Sequence, residues 1–407
     1  MLILIDLQLA ARNVFRHARR SLAGALAVIF GTAALIVAAG FIERIYFSMR
    51  EGTIHAGLGH IQVVRSGYPE RGMADPFGYL LPERSADRKL VESAAHVRAM
   101  APRLKFSGLA GFNGTSLSFL GEGRDPEREI GGEEALIVEA GAALSNAKPN
   151  QVLLGRGLAD NLGAKVGDSV VLLVNRRGGA LGGMELTVGG IFSTQAKAYD
   201  DVALQVTYGL ADELLQAHGA HAWVLYLDQT ENTPAVVRTL KGLLSAQLAV
   251  VPWYEAADFY HKTVRLFSRQ VLVMKAIIAL VVILSISNTM MMAVMERTSE
   301  IATALALGVR RARVLRRFLI EGLLIGLIGA VLGVALGYGL AELISRIGIP
   351  MPPPPGMARG FIGQILVTPA LVRDAVLIGG ATALAASLYP AWKASRMVIA
   401  EALRHGR

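Results

Sequence analysis

The residues of this 407-residue chain best placed to act on something else lie in one stretch, Met295 to Arg311. Glu296, Arg297 and Glu300 put both signs of charge close together, and Ile301 and Leu307 add apolar side chains nearby. A short helix of this kind docks into a groove of a soluble partner through electrostatic register plus an apolar anchor. Thr298 lies among the charges, and Gly308 is suited to end the helix because glycine readily takes the left-handed cap. The alternative is a solvated helix beside a membrane, with the arginines after Gly308 against anionic headgroups. Catalytic chemistry has no comparable claim. The sequence holds no G-x-S-x-G and no H-E-x-x-H, and its eight histidines are scattered without carboxylate clusters at metal spacing. It has no cysteine, which excludes disulfides, Cys-ligated zinc and a thiol nucleophile. The phosphate-cradling G-x-x-x-x-G-K-[ST] is also absent. The chain is expected to be non-catalytic, with no metal or cofactor of its own.

The elements that would hold this stretch are membrane helices. The composition is 53% hydrophobic and only 18% charged, and the apolar residues concentrate in a few runs. Ser21 to Phe41 is uncharged and long enough to cross the hydrocarbon as a helix. It exceeds a signal-peptide core, so it is expected to be an uncleaved anchor. Ala276 to Val294, Gly322 to Leu340 and the weaker Ala375 to Trp392 follow, and Pro390 suggests a kink or stop in the last. The corresponding segments are 21–41, 271–295, 321–345 and 375–392 for the spans, separated by 42–270, 296–320 and 346–374. Segments 1–20 and 393–407 flank them.

Arg12, Arg16, Arg19 and Arg20 precede the first span, and Arg297, Arg310, Arg311, Arg313, Arg316 and Arg317 lie between the second and third. Lys393, Arg396, Arg404 and Arg407 follow the fourth. The positive-inside rule then places both termini and the 296–320 segment in the cytoplasm, and the 42–270 segment outside. The net charge of +9 is accounted for in this way, and no nucleic-acid recognition motif accompanies it. Gly329, Gly333 and Gly337 recur every four residues in the third span, a close-packing face that suits either an internal seam or a subunit contact.

Between Glu43 and Gln270 the texture is mixed α+β. Ile61–Val64, Ser169–Val174 and Met184–Val188 read as half-buried strands, the last two joined by a glycine-rich hairpin from Arg176 to Gly183. Ala211–His218 and Pro234–Ala246 read as helices, the second capped at Asn232–Thr233. Both edges of the domain read as helices continuing out of the membrane. On the second, Phe259, Tyr260, Val264, Phe267 and Val271 fall near one face. That stripe either packs inside the protein or forms a greasy wall just above the bilayer.

The stretch from Met295 to Arg311, with Glu321 ending the basic helix that follows, closely resembles the signature of the MacB/FtsX/lipoprotein-releasing superfamily of type VII ABC transporter permeases. Leu9–Arg16 looks like that family's amphipathic cytoplasmic segment. Gly59–Val63, Gly167–Val170 and Val188–Phe192 look like its external domain, and Tyr389–Trp392 through Glu401–Arg404 like its exit. Ala302 and Leu305 depart from the glycine and basic residue usual there, and Pro350–Gly356 is richer in proline than most relatives. The resemblance implies a four-span α-helical membrane protein of the bacterial inner membrane, with a large α+β periplasmic domain between helices 1 and 2.

It also implies a separate ABC ATPase in two copies, which binds ATP and Mg, and a second permease subunit in a homo- or heterodimer. Force would enter through Glu296, Arg297, Thr298, Glu300, Ile301, Leu307 and Gly308 and leave outside the bilayer by mechanotransmission along stiff helices. A MacB-type chain carries its ATPase ahead of the first span, and an FtsX-type chain has a smaller external domain. The similarity is therefore greatest to the lipoprotein-releasing branch, with membrane lipids and a lipoprotein or other lipid-like substrate, whose acyl chains the stripe from Phe259 to Val271, facing Phe41, Ile45 and Phe47, would shield. Two other outputs stay open: tripartite efflux of a drug or peptide through a periplasmic adaptor, and signalling to a cell-wall hydrolase. The proline run is either a rigid spacer or a contact for a periplasmic carrier.

Overall fold

The computed structural model describes residues 12, 18–72, 74–129, 136–194, 196–352 and 361–398. The resembling segment Leu9–Arg16, most of Pro350–Gly356 and the tail from Ile399 lie outside them, apart from Arg12, Pro350, Met351 and Pro352. The chain forms two compact units. One holds residues 1–46, 264–350 and 362–407, and the other residues 47–263 and 351–361.

Helix α1 (Ala18–Thr53) contains the first apolar run. In the inserted domain, strand β1 (Ile61–Arg65) follows, then a 16-residue strand β2 (Val97–Phe112), β3 (Thr115–Arg124), β4 (Ile137–Gly141) and β5 (Gln151–Gly155). Helix α2 (Arg156–Leu162), β6 (Ser169–Asn175), β7 (Leu181–Ser193), β8 (Ala203–Thr207), helix α3 (Tyr208–Leu215), β9 (Ala222–Leu227), helix α4 (Thr233–Leu243) and β10 (Leu248–Pro252) complete it. The α+β class expected from the sequence is therefore present.

Six of these strands close on themselves. The pairings run β2–β3, β3–β8, β8–β5, β5–β7, β7–β6 and back from β6 to β2. Closure leaves each of these six strands with a partner on both sides, the shortest ladder being the two residue pairs between β5 and β8. The β6 side chains alternate strictly: Val170, Leu172 and Val174 are buried, and Ser169, Val171, Leu173 and Asn175 face out. The inward set meets Leu104, Phe119, Leu154, Leu186 and Leu204 in one core, sealed by Leu158 and Leu162 of α2 and Leu210 and Leu214 of α3. Each fully buried Leu or Val contributes about 1.5–3 kcal/mol.

The first half of β2 belongs to a second layer. There it pairs with β9, which pairs with β1, which pairs with β10, all antiparallel. Amphipathic α4 covers this sheet with Val236, Val237 and Leu240 over Ile61, Val63, Trp223 and Leu225. Asn232 stands at its N-cap but makes no capping hydrogen bond there. Its amide instead bonds Asp228 at 2.9 Å.

The other apolar runs form helices α5 (Asp258–Glu296), α6 (Thr298–Ala306), α7 (Arg311–Ile347) and α8 (Pro369–Ser395). Together with α1, helices α5, α7 and α8 are long and apolar enough to cross a membrane, with mean hydropathies of 2.5, 2.4, 2.4 and 1.5 in chain order. Pro390 does not stop α8, which continues to Ser395. The glycines of α7 lie in two seams. Gly329, Gly333 and Gly337 abut Val28, Ile29, Thr32, Ala33 and Ile36 of α1. Gly322 and Gly326 abut Ser387 and Ala383 of α8. The four-residue spacing is thus occupied by a neighbouring helix of the same chain.

Candidate coupling segment

The α5 helix departs from helical geometry at Arg297 (φ −98°, ψ 17°), and α6 starts at the next residue. The Thr298 hydroxyl bonds the Val294 carbonyl at 3.2 Å and the Met295 carbonyl at 2.6 Å, satisfying acceptors at the end of α5. At its other end α6 closes on Leu307, and Gly308 follows at φ +88°. Nothing lies within 4 Å of where a Gly308 Cβ would be, so glycine is favoured there for its backbone and not for space. Arg310 then begins α7 in extended geometry.

The turn of α6 sorts the predicted residues into two groups. Ile301 and Ala302 are buried, and Ile301 joins a cluster with Val294, Val314, Phe318, Ala391 and Ala394. Arg297 is also buried, and its guanidinium Nη1 lies 3.3 and 3.4 Å from the two carboxylate oxygens of Glu321, itself buried on α7. Two expectations change here. Arg297 is not a docking charge and Ile301 is not an outward anchor, because the same side of the hinge that carries them faces α7 and α8. Glu296, Glu300 and Leu307 point out, and Leu307 is 82% exposed. An 82% exposed leucine at the C-cap of a helix that also presents the Glu300 carboxylate, and that is anchored from behind, is chemically suited to an apolar notch with a basic rim.

The aromatic stripe is placed differently from the acyl-shielding expectation. The Tyr46 hydroxyl of α1 donates to the Val264 carbonyl at 3.2 Å, lies 3.2 Å from Ser268 Oγ, and its ring meets Phe267 edge-on at 6.5 Å. Tyr260 sits edge-on to Trp253 at 5.1 Å. Phe41, Ile45, Tyr260, Val264, Phe267 and Val271 are half-buried, Phe47 is exposed, and the Phe259 side chain lies outside the described set. Internal packing therefore holds Val264, Phe267 and Tyr260. The adjoining face of α5 is the open one, where Leu266, Arg269, Gln270, Val273, Met274, Ile277 and Ile278 line a shallow groove of about 450 Å³.

Sequence reasoning missed Glu321 as a partner for Arg297, since 24 residues separate them. It also missed a buried charge cluster in the inserted domain. Arg103 Nη2 donates to Glu129 at 2.6 Å, and Arg124 Nε donates to the other Glu129 oxygen at 2.5 Å. Burial alone would raise the Glu129 carboxyl, but Arg103 and Arg124 outweigh it and hold its pKa below the usual carboxylate range. Among the described residues no group of three or more His, Asp or Glu could hold a metal ion.

Four apolar helices with an α+β domain inserted between the first and second define a multi-pass membrane protein of the permease type. Residues 21–243 match the MacB-like periplasmic core domain and residues 272–399 the FtsX-like permease C-terminal family. The chain belongs to this family of ABC transporter permeases. It is 26% identical over 282 residues to the lipoprotein-releasing system transmembrane protein LolC of Xylella fastidiosa (strain 9a5c), covering 65% of this chain and 67% of that one. It is 21% identical over 347 residues to the macrolide export ATP-binding/permease protein MacB of Psychrobacter cryohalolentis, covering 82% of this chain and 51% of that one. The periplasmic region of MacB from Actinobacillus actinomycetemcomitans aligns at a TM-score of 0.36 and 13% identity, over 51% of this chain and 94% of that structure.

Proposed function

We propose that this chain is the non-catalytic permease of a bacterial inner-membrane ABC transporter, driven by two copies of a separate ATPase that bind ATP and Mg. The observation that carries this reading is the outward face of α6, where Glu300 and Leu307 stand uncovered on a helix held from behind by Ile301 and Ala302. In this reading both termini and α6 lie in the cytoplasm, the inserted domain is periplasmic, and two permease subunits pair. Hydrolysis moves α6, and the output is a rearrangement outside the bilayer.

The substrate is a lipoprotein or another lipid-like molecule. The α5 groove supports this, because its walls from Val273 to Ile278 are apolar while Arg269 and Gln270 offer polar contacts at one end. That composition suits a molecule with a greasy tail and a polar head.

Purification of the wild-type chain from native membranes should bring an ABC ATPase with it. Leu307→Asp should weaken that association, and Glu300→Lys should leave membrane insertion intact while hydrolysis no longer drives transport. Unchanged coupled activity in both variants would refute the assignment. For the substrate, a photo-crosslinker at Val273 should capture lipidated species, and capture of water-soluble cargo alone would count against the lipid reading.

A further inference from the structure

Arg297 and Glu321 raise a question that stability does not answer. Both side chains are under a tenth exposed, at 9% and 7%. A buried ion pair of this kind is often replaceable by well-packed apolar residues at no cost, whereas removing one partner is strongly destabilising. What such a pair adds is register, because Arg297 Nη1 reaching both Glu321 oxygens ties two named points together, whereas apolar side chains are free to slide past one another.

Its position gives that register a use. α5 contacts its neighbours along one stripe, Val282, Ile286, Met290 and Val294, while Leu272, Ile277, Leu280, Val281 and Leu284 on its other sides are exposed. α7 is gripped from two sides, through Gly329, Gly333 and Gly337 against α1 and through Gly322 and Gly326 against α8. Arg297 sits at the departure from helical geometry between α5 and α6, and Glu321 immediately precedes Gly322. Without such a tie, a push on α6 would be absorbed by bending at Arg297 and sliding of Ile301 over Val314 and Phe318.

We propose that the Arg297–Glu321 pair is a clasp that fixes α6 to α7, so that displacement of α6 carries α7 and, through its glycine seams, α1 and α8. Both are positioning residues. The inference rests on the reading above that α6 receives the ATPase's motion.

The chain has no cysteine of its own, so two introduced cysteines are its only sites for spin labels. Thr303→Cys on α6 and Val331→Cys on α7 are both exposed and leave Glu300, Leu307, Arg297 and Glu321 untouched. The full chain, with its co-purifying ATPase, is placed in lipid nanodiscs and measured with and without Mg-ATP and vanadate. With the clasp intact the distance between labels should stay constant through the cycle. In Glu321→Gln it should shift on nucleotide addition by several ångströms, with coupled transport lost and the ATPase still bound.

The reversed pair, Arg297→Glu with Glu321→Arg, should restore the constant distance, and the apolar pair, Arg297→Met with Glu321→Met, should not. A constant distance in Glu321→Gln would overturn the clasp. So would restoration by the apolar pair, which would make this a packing position, or failure of the reversed pair. If the wild-type chain binds no ATPase at all, the coupling reading itself fails, and this result is distinct from the others.

Discussion

Acid should loosen the inserted domain through its buried histidines, and His221 shows why. This residue is 1% exposed. Its Nδ1 accepts the Lys105 N–H at 3.0 Å, and its Nε2 lies 2.9 Å from the Pro76 carbonyl, which fixes the neutral tautomer with the proton on Nε2. A proton added at Nδ1 would face a donor. Burial, opposed by the Pro76 carbonyl and aided by Lys105, moves the His221 pKa down from 6.5 to about 4. As pH falls from 6.5 toward 4, the unfolded chain takes up a proton that the native domain refuses, so stability is lost across that window. A gap of about 2.5 in pKa corresponds to about 3 kcal/mol, a large share of the ~5–15 kcal/mol that holds a typical domain.

The assay is hydrogen–deuterium exchange of the full chain at pH 7.0 and 4.5, corrected for intrinsic rates and read at the Trp223 and Leu225 amides of β9. Protection should fall about a hundredfold or more at the lower pH. His60 is equally buried and also lowered to about 4 by burial, and its Nδ1 accepts the Leu227 N–H at 3.2 Å. His221→Gln should therefore remove part of the pH dependence and leave the His60 share. Equal protection at the two pH values in the wild-type chain would refute the reasoning.

Three further outcomes are expected. Glu129→Gln removes the carboxylate charge that two buried arginines share and should cost the domain about 3–5 kcal/mol, read as a lower urea midpoint at neutral pH. It should also remove the stability that the wild type loses as pH falls below the normal carboxylate range. Gly333→Val should lower the thermal midpoint of the purified chain, since a Cβ there would lie 2.7 Å from the Ile29 carbonyl oxygen, whereas Gly339→Ala, with nothing within 4 Å, should not. Gly308→Ala should strain the end of α6 by about 1–2 kcal/mol and weaken ATPase capture without altering membrane insertion, as measured by co-purification.

The spans were legible because hydrocarbon demands long uncharged runs, and α1, α5 and α7 obey that directly. β6 was legible because one of its faces is wet. The closed ring was not, since β3–β8 and β5–β7 are parallel pairs whose partners lie far apart in sequence. One available signal went unread: Asn113–Gly114, both at positive φ, make the two-residue turn joining β2 to β3. The coupling segment was found by its residue types, but not its orientation. Helical spacing shows that Arg297 and Ile301 share a side without saying whether that side meets a partner or the chain's own α7. The stripe at Val264 and Phe267 stayed open between two readings for the same reason, because the helix is apolar on several faces and the Tyr46 contact is what picks one.

The sixteen-residue β2, about 50 Å if fully extended, is a wall of the closed ring along one half and a rung of the open four-stranded layer along the other. Loss of β2 as a unit withdraws a strand from both hydrophobic interiors at once. Heating should therefore produce one calorimetric peak from this domain where two cores would otherwise suggest two, and a destabilising change in either half should be felt across the whole.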